Sequence, residues 1–308
     1  DYSFLLKFRR IFYLMVVGLL GLVLTGIGVT RGGATRWIEI GGFQFQPSEI
    51  CKILLILFFA AFFMKYRDTL NTWKMLLISL VLIAIPLVLI LKQPNLSTTI
   101  IVAILFVSMI FVAGLSYKIV LGVLAVGIPA AIVSIILMLK EKFPLLQSYQ
   151  YMRILSWLNP EKYASEGGYQ IMQALYAIGS GGFFGKGLGN SAQKMIIPEV
   201  QNDMILSIIC EELGVFGAIM VLILFGMLLY RLLFIAQNAP DLYGSLIVTG
   251  IFAHIALQVI LNVMVVINCI PTTGITLPFI SYGGTSVLFL MAEMGLALGV
   301  SARIKIAE

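Results

Sequence analysis

The 308-residue chain is 60% hydrophobic and only 11% charged, with a mean hydropathy of +1.05, where soluble domains carry about 25% charged residues. A water-soluble globular protein is excluded, and the uncharged blocks of spanning length make the membrane helix the unit to count. Continuously apolar runs, in place of alternating strands, exclude a transmembrane β-barrel, and the net charge of +6 reads as lysine and arginine at helix ends, with no nucleic-acid partner expected.

The fold class is therefore an all-α polytopic membrane protein. In chain order, charge-free runs predict spans over residues 11–30, 53–64, 75–91, 93–117, 119–139 and 213–230. The second run is short, and extending it back through Lys52 and Glu49 to Ser48 gives it spanning length. Residues 242–292 are too long for one crossing and are broken by Pro271, Pro278 and Gly283-Gly284 into two, for eight spans in all. The opening DYSFLLKFRR lacks a small-residue cleavage site, so the first helix is expected to stay in the membrane.

Lys7, Arg9 and Arg10 precede the first span, Lys65, Arg67 and Lys74 follow the second, and Arg303 and Lys305 follow the last. The excess of lysine and arginine in cytoplasmic loops then places both ends inside. Lys118 and Arg231 fall on the same side, and Trp37, Trp73 and Trp157 lie at span edges or in loops. One long loop, residues 140–203, falls outside. Within it Met152, Leu155 and Leu158 recur at helical spacing, with Arg153 and Ser156 off that face, which predicts a helix lying on the membrane. A second helix is predicted over 169–178, ending at Gly179. No linker divides the chain, so 1–308 is read as one domain.

Chemistry-bearing residues are few. Cys51, Cys210 and Cys269 have no metal-ligand spacing and read as small packing residues. The one histidine, His254, is mid-span and reads as a core histidine bonded between helices, which closes off Ser-His-Asp and histidine-metal chemistry. The cluster GSGGFFGKGLGNS at 179–191 fails both phosphate-loop templates: Ser180 stands where the first glycine is needed and Gly187 follows Lys186. Two readings stay open there, a tightly folded loop or a loop that meets a lipid-linked phosphate through Lys186 or Lys194. Glu49 and Lys52 are three apart on one helix and can pair. Glu211 and Glu212 sit near the membrane surface, and Lys92-Gln93-Pro94-Asn95 makes a proline turn between spans.

Of four aspartates, Asp1, Asp68 and Asp241 map to the cytoplasmic face, leaving Asp203 alone outside, where the long loop re-enters the membrane. Its carboxylate could cap the helix that follows, or act as general base toward a substrate hydroxyl. Residue chemistry alone leaves both open.

Four segments in order carry a resemblance: GGATRWIEIGGFQFQPSEICK at 32–52, LKQPNLSTT at 91–99, the run YQIMQALYAIGSGGFFGKGLGNSAQKMIIPEVQNDMILSIICEELG at 169–214, and IPTTGITLPFISYGGTS at 270–286. The chain resembles the shape, elongation, division and sporulation (SEDS) family, which includes FtsW, RodA and SpoVE; GATRW and GKGLGNS are closer to the FtsW and SpoVE branches. The resemblance implies ten membrane helices in the family, with this chain's DYSF matching the start of the third. It implies a peptidoglycan glycosyltransferase that polymerises lipid II outside the bacterial cytoplasmic membrane, working with a class B penicillin-binding protein and other divisome or elongasome proteins. Asp203 matches the family's loop aspartate, which implies the base role. Arg36, Lys52, Lys92, Lys186 and Lys194 become candidates for stabilising the leaving pyrophosphate, with a divalent cation (Mg or Mn) as a further candidate. Glu49, Gln93, Glu211, Glu212, Ser281 and Tyr282 become cavity or structural polar residues. Many relatives carry aspartate and glycine in QPDLGT where this chain has Asn95 and Ser97, a change expected to be tolerated because asparagine keeps size and one acceptor. Two other classes compete: a lipid II flippase, needing polar groups along a path through the membrane, and a non-catalytic division scaffold, indifferent to Asp203.

Overall fold

The structure, a computed structural model, describes residues 2–31, 34–40, 43–122, 125, 129, 148–198 and 200–304. Its helices are α1 (Arg9–Val23), α2 (Pro47–Lys65), α3 (Trp73–Lys92), α4 (Leu96–Val112), α5 (Ser148–Leu158), α6 (Gly168–Gly181), α7 (Ile205–Asn238), α8 (Leu242–Val266) and α9 (Gly284–Ser301). Among the described residues five, α2, α3, α7, α8 and α9, are long and apolar enough to cross a membrane, and α4 is a shorter apolar helix. Most of residues 123–147, which contain the fifth predicted span and the start of the long loop, lie outside the described residues.

The chain forms two compact units, residues 1–115, 226–258 and 283–308, and residues 116–225 and 259–282. In the first, α2 is the core helix. Some 78% of its most apolar window is buried against the protein, compared with 33% for α3, and α1, α4 and α9 pack around it. Phe59 and Phe63 of α2 meet Phe106 of α4 with ring centroids 4.9 and 5.7 Å apart. Gly250 of α8 lies against Ile56 of α2, where an added Cβ would fall 2.8 Å from the isoleucine side chain. The two ends of the chain meet here: Arg303 donates to the Ser3 hydroxyl at 3.0 Å, and the Tyr2 hydroxyl donates to Asp241 at 2.7 Å. Burial first, then that carboxylate, pushes the Tyr2 phenol up to about 12.

The all-α expectation needs correction. Helix α1 stops at Val23, short of the predicted 30, and a three-stranded antiparallel sheet follows: β1 (Gly28–Arg31), β2 (Ala34–Ile40) and β3 (Phe43–Phe45). Leu24 and Thr25 close turns onto Gly21 and Leu22, and Gly28 N–H bonds to the Thr25 carbonyl at 3.2 Å. A Cβ on Gly28 would lie 2.2 Å from the Val23 carbonyl, so only glycine lets the chain reverse this tightly against α1. The β-branched and aromatic residues beyond it then pair as strands, Val29 with Trp37 and Ile38 with Phe45.

In the second unit α5 and α6 form where expected, with α6 running two residues beyond Gly179. In α5 Ser156 is buried and Leu158 is 44% exposed. Arg153 donates to the Thr272 carbonyl at 3.2 Å and Trp157 to that of Asn268 at 3.0 Å, so the polar side faces protein, as it should where lipid replaces water outside. Cys269 is exposed, unlike Cys51 and Cys210.

Helix α7 is discontinuous at Gly214, whose backbone (φ 69°, ψ −168°) is not helical. The groups freed by the break are satisfied by the glycine-rich segment. Lys186 and Gly187 N–H donate to the Glu211 and Glu212 carbonyls at 2.9 Å, while Val215 and Phe216 N–H donate to the Gly182 and Phe183 carbonyls at 3.0 and 3.2 Å. Interrupted backbone at membrane depth is tolerable only when its polar groups find such partners. A Cβ on Gly181, Gly185 or Gly214 would lie 1.9, 2.2 and 2.4 Å from the facing carbonyls. The segment 179–191 is thus tightly folded against the break.

Candidate functional site

Asp203 lies in the turn between the long loop and α7, half-buried. The helix begins two residues later, at Ile205, so Met204 occupies the capping position, and its carbonyl accepts from Ser207 N–H at 3.0 Å. Asn262, wholly buried in α8, donates to the Asp203 carbonyl and to that of Ile275, both at 2.8 Å. Gln170, in the first turn of α6, donates to the Asp203 carboxylate at 3.4 Å and to the Pro198 carbonyl at 3.1 Å. Tyr282 N–H bonds to the Gln201 carbonyl at 2.8 Å, bringing the last-loop motif to the same turn. Its ring is 76% exposed, while the buried Ser281 hydroxyl accepts from Leu277 N–H at 2.7 Å. A depression of about 520 Å³ beside this turn is lined by Ala164, Ser165, Gly167, Tyr169, Gln170 and Pro198.

The same unit holds Glu211, whose side chain is fully buried. Its carboxylate accepts from Lys186 Nζ at 2.7 Å, the Ser191 hydroxyl at 2.5 Å, and Ala192 and Gln193 N–H at 3.2 Å. Lys186 is thus paired with Glu211 while itself exposed; Lys194 is exposed too, and Glu212 is half-buried.

In the first unit Arg36 of β2 donates to the Gln93 carbonyl at 3.3 Å and to that of Pro94. Gln93 is buried and donates to the Leu20 carbonyl at 2.9 Å, and Lys92 is exposed. Asn95 caps α4, accepting from Thr98 N–H at 3.3 Å. Either asparagine or aspartate does this. The expected Glu49–Lys52 pair forms at 2.9 Å, with Lys52 2% exposed, and the Ser286 hydroxyl bonds to Glu49. His254 does bond between helices: its Nδ1 lies 2.9 Å from both Glu293 oxygens.

Sequence reasoning missed Gln170, Asn262 and Ser191. The first lies 33 residues from Asp203 and the second 59, so no spacing rule reaches them. Among the described residues no three of His, Cys, Asp and Glu converge as metal ligands.

The FtsW/RodA/SpoVE family model, described as cell cycle protein, matches residues 1–306. The chain belongs to the FtsW/RodA/SpoVE family. It is 39% identical over 294 residues to stage V sporulation protein E of Bacillus subtilis, covering 94% of this chain and 76% of that one. It is 38% identical over 301 residues to the probable peptidoglycan glycosyltransferase FtsW of the same organism, covering 96% and 74%. Among solved structures, a chain from work on how a peptidoglycan synthase complex coordinates polymerization and crosslinking superposes with a TM-score of 0.77 at 27% identity, covering 99% of this chain and 84% of that one. The rod shape determining protein RodA of Thermus thermophilus gives 0.70 at 28% identity, covering 100% and 82%. This family membership and the apolar helices make the chain a multi-pass membrane protein.

Proposed function

We propose that this chain is a peptidoglycan glycosyltransferase that polymerises lipid II, with Asp203 as general base. The observation that carries the reading is a half-buried carboxylate anchored through both backbone and side chain, in a family whose relatives are named for this activity. Asp203 takes the proton of the GlcNAc 4-hydroxyl on one lipid-linked sugar as that oxygen attacks the MurNAc anomeric carbon of the other. The bond from that carbon to the diphosphate breaks, undecaprenyl pyrophosphate leaves, and displacement opposite the leaving group turns the α-linked donor into a β-1,4 product.

The leaving diphosphate needs preorganised cations. Of the five candidates, Lys92, Lys186 and Lys194 are exposed. Lys52 and Lys186 are paired with glutamates, and Arg36 is held by the carbonyls of residues 93 and 94. Glu49, Gln93, Glu211 and Ser281 take structural parts, Glu212 and Tyr282 flanking ones.

The threading that goes with this reading is one domain of eight spans, with both ends in the cytoplasm and residues 140–203 outside. The Arg303–Ser3 contact supports it, because it brings the two ends together. The partner is a class B penicillin-binding protein, which supplies crosslinking, as polymerization and crosslinking are coupled in the synthase complex that one neighbour comes from.

The test is reconstitution of the full-length protein with its penicillin-binding partner in vesicles containing lipid II. Wild type is expected to form glycan polymer and a folded Asp203→Asn variant none. Equal polymer from both would remove Asp203 as base, and none from either would favour transport of lipid II or a scaffold.

A further inference from the structure

The geometry points to Gln170 as the positioning residue that orients the Asp203 carboxylate; this rests on Asp203 being the base. Gln170 and Asn262 both hold Asp203, and the two anchors do different things. Asn262 grips only its backbone carbonyl and therefore fixes where the turn sits. Gln170 reaches the carboxylate itself, and with the same amide nitrogen it reaches the Pro198 carbonyl five residues earlier. One side chain thus ties the reactive group to the segment that leads into it. Both partners are acceptors only, a carbonyl and an ionised carboxylate, so the amide must present its nitrogen and its two hydrogens are both used. That leaves no freedom for the amide to flip. Gln170 and Pro198 both line the depression, so the side chain that holds the carboxylate is itself part of that depression's wall. A bond of 3.4 Å suits a base that tightens when substrate is bound.

A donor to the charged form favours that form, so removing it should shift the acid limb of the rate profile to higher pH. The experiment measures initial rates of lipid II polymerisation from pH 5 to 9 for the full-length protein with its penicillin-binding partner in vesicles. Wild type, Gln170→Ala, Gln170→Glu and Asp203→Asn are compared, each with its thermal unfolding midpoint. Gln170→Ala should lower the plateau rate about tenfold and move the acid limb up by roughly half to one pH unit. Gln170→Glu, isosteric but placing a second carboxyl against two acceptors, should move it further in the same direction. A fall in rate with the acid limb unmoved in both variants would overturn the proposal, making Gln170 a packing residue. Turnover as low as that of Asp203→Asn at every pH, in protein that unfolds at the wild-type temperature, would also overturn it, because Gln170 would then be indispensable in its own right. Polymer from Asp203→Asn would instead refute the base assignment itself, an outcome distinct from either.

Discussion

Removing the Glu211 carboxylate should open the segment that closes the break in α7. In Glu211→Ala the Ala192 and Gln193 N–H groups, both 3.2 Å from that carboxylate, lose a charged acceptor. Lys186 and the Ser191 hydroxyl, at 2.7 and 2.5 Å, lose it too. A hydrogen bond to a charged group contributes about 1.5–3 kcal/mol. Lys186 is 35% exposed on its side chain and can turn to water, so it is left out. The two amides alone amount to roughly 3–6 kcal/mol, and since such contributions are not independent the lower end is used. About 3 kcal/mol is about a hundredfold in the opening equilibrium of residues 186–193. Amide hydrogen exchange reads this directly: protection at Ala192 and Gln193 should fall about a hundredfold, while amides of α8 keep theirs. Glu211→Gln retains one acceptor oxygen and should fall between the two. Unchanged exchange at Ala192 and Gln193 in the alanine variant would refute the reasoning, because the segment would then be held by its backbone bonds to the break alone.

Other outcomes follow from the same contacts. Gly214→Ala must adopt φ 69° and place a Cβ 2.4 Å from the Phe183 carbonyl. It should cost at least about 2 kcal/mol and lower the unfolding midpoint in detergent, whereas Gly226→Ala, which meets nothing within 4 Å, should not. Glu293→Leu or His254→Leu alone strands a buried polar partner and should cost about 3–5 kcal/mol. The double substitution should recover much of that, so a double-mutant cycle of unfolding midpoints that is strictly additive would contradict the 2.9 Å pair. Asn95→Asp keeps the α4 cap and should polymerise lipid II at the wild-type rate, while Asn95→Ala should lose about 1 kcal/mol of stability.

What could be read from the sequence divides by the distance over which the determining contact acts. The predicted span at 48–64 agrees with α2 (Pro47–Lys65) and the one at 75–91 with α3 (Trp73–Lys92), because lipid forces the backbone to satisfy itself within one continuous apolar segment. The Glu49–Lys52 pair was equally legible, since three residues on a helix bring the two side chains together. The hairpin after Val23 was not, because Gly28 and the strand pairings of Val29 and Ile38 lie inside and just beyond a run whose hydropathy alone reads as membrane.

The break at Gly214 illustrates the limit most clearly. ILSIICEELGVFGAIM carries glycines at 214 and 217, and the charge-free run that marks the span begins at Leu213, while hydropathy has no term for a carbonyl released at Glu211 being taken up by the Lys186 amide. The glycine cluster at 179–191 was visible, and its failure as a phosphate loop was visible too, but its purpose required knowing what its amides would face. The same holds at the candidate site. Asp203 stood out because it is the single aspartate that the expected threading leaves outside. Gln170 and Asn262 belong to helices whose neighbours are set only when the chain has folded. A candidate carboxylate can thus be found from the sequence before the side chains that hold it, because its own chemistry is rare along the chain while theirs becomes specific only through contact.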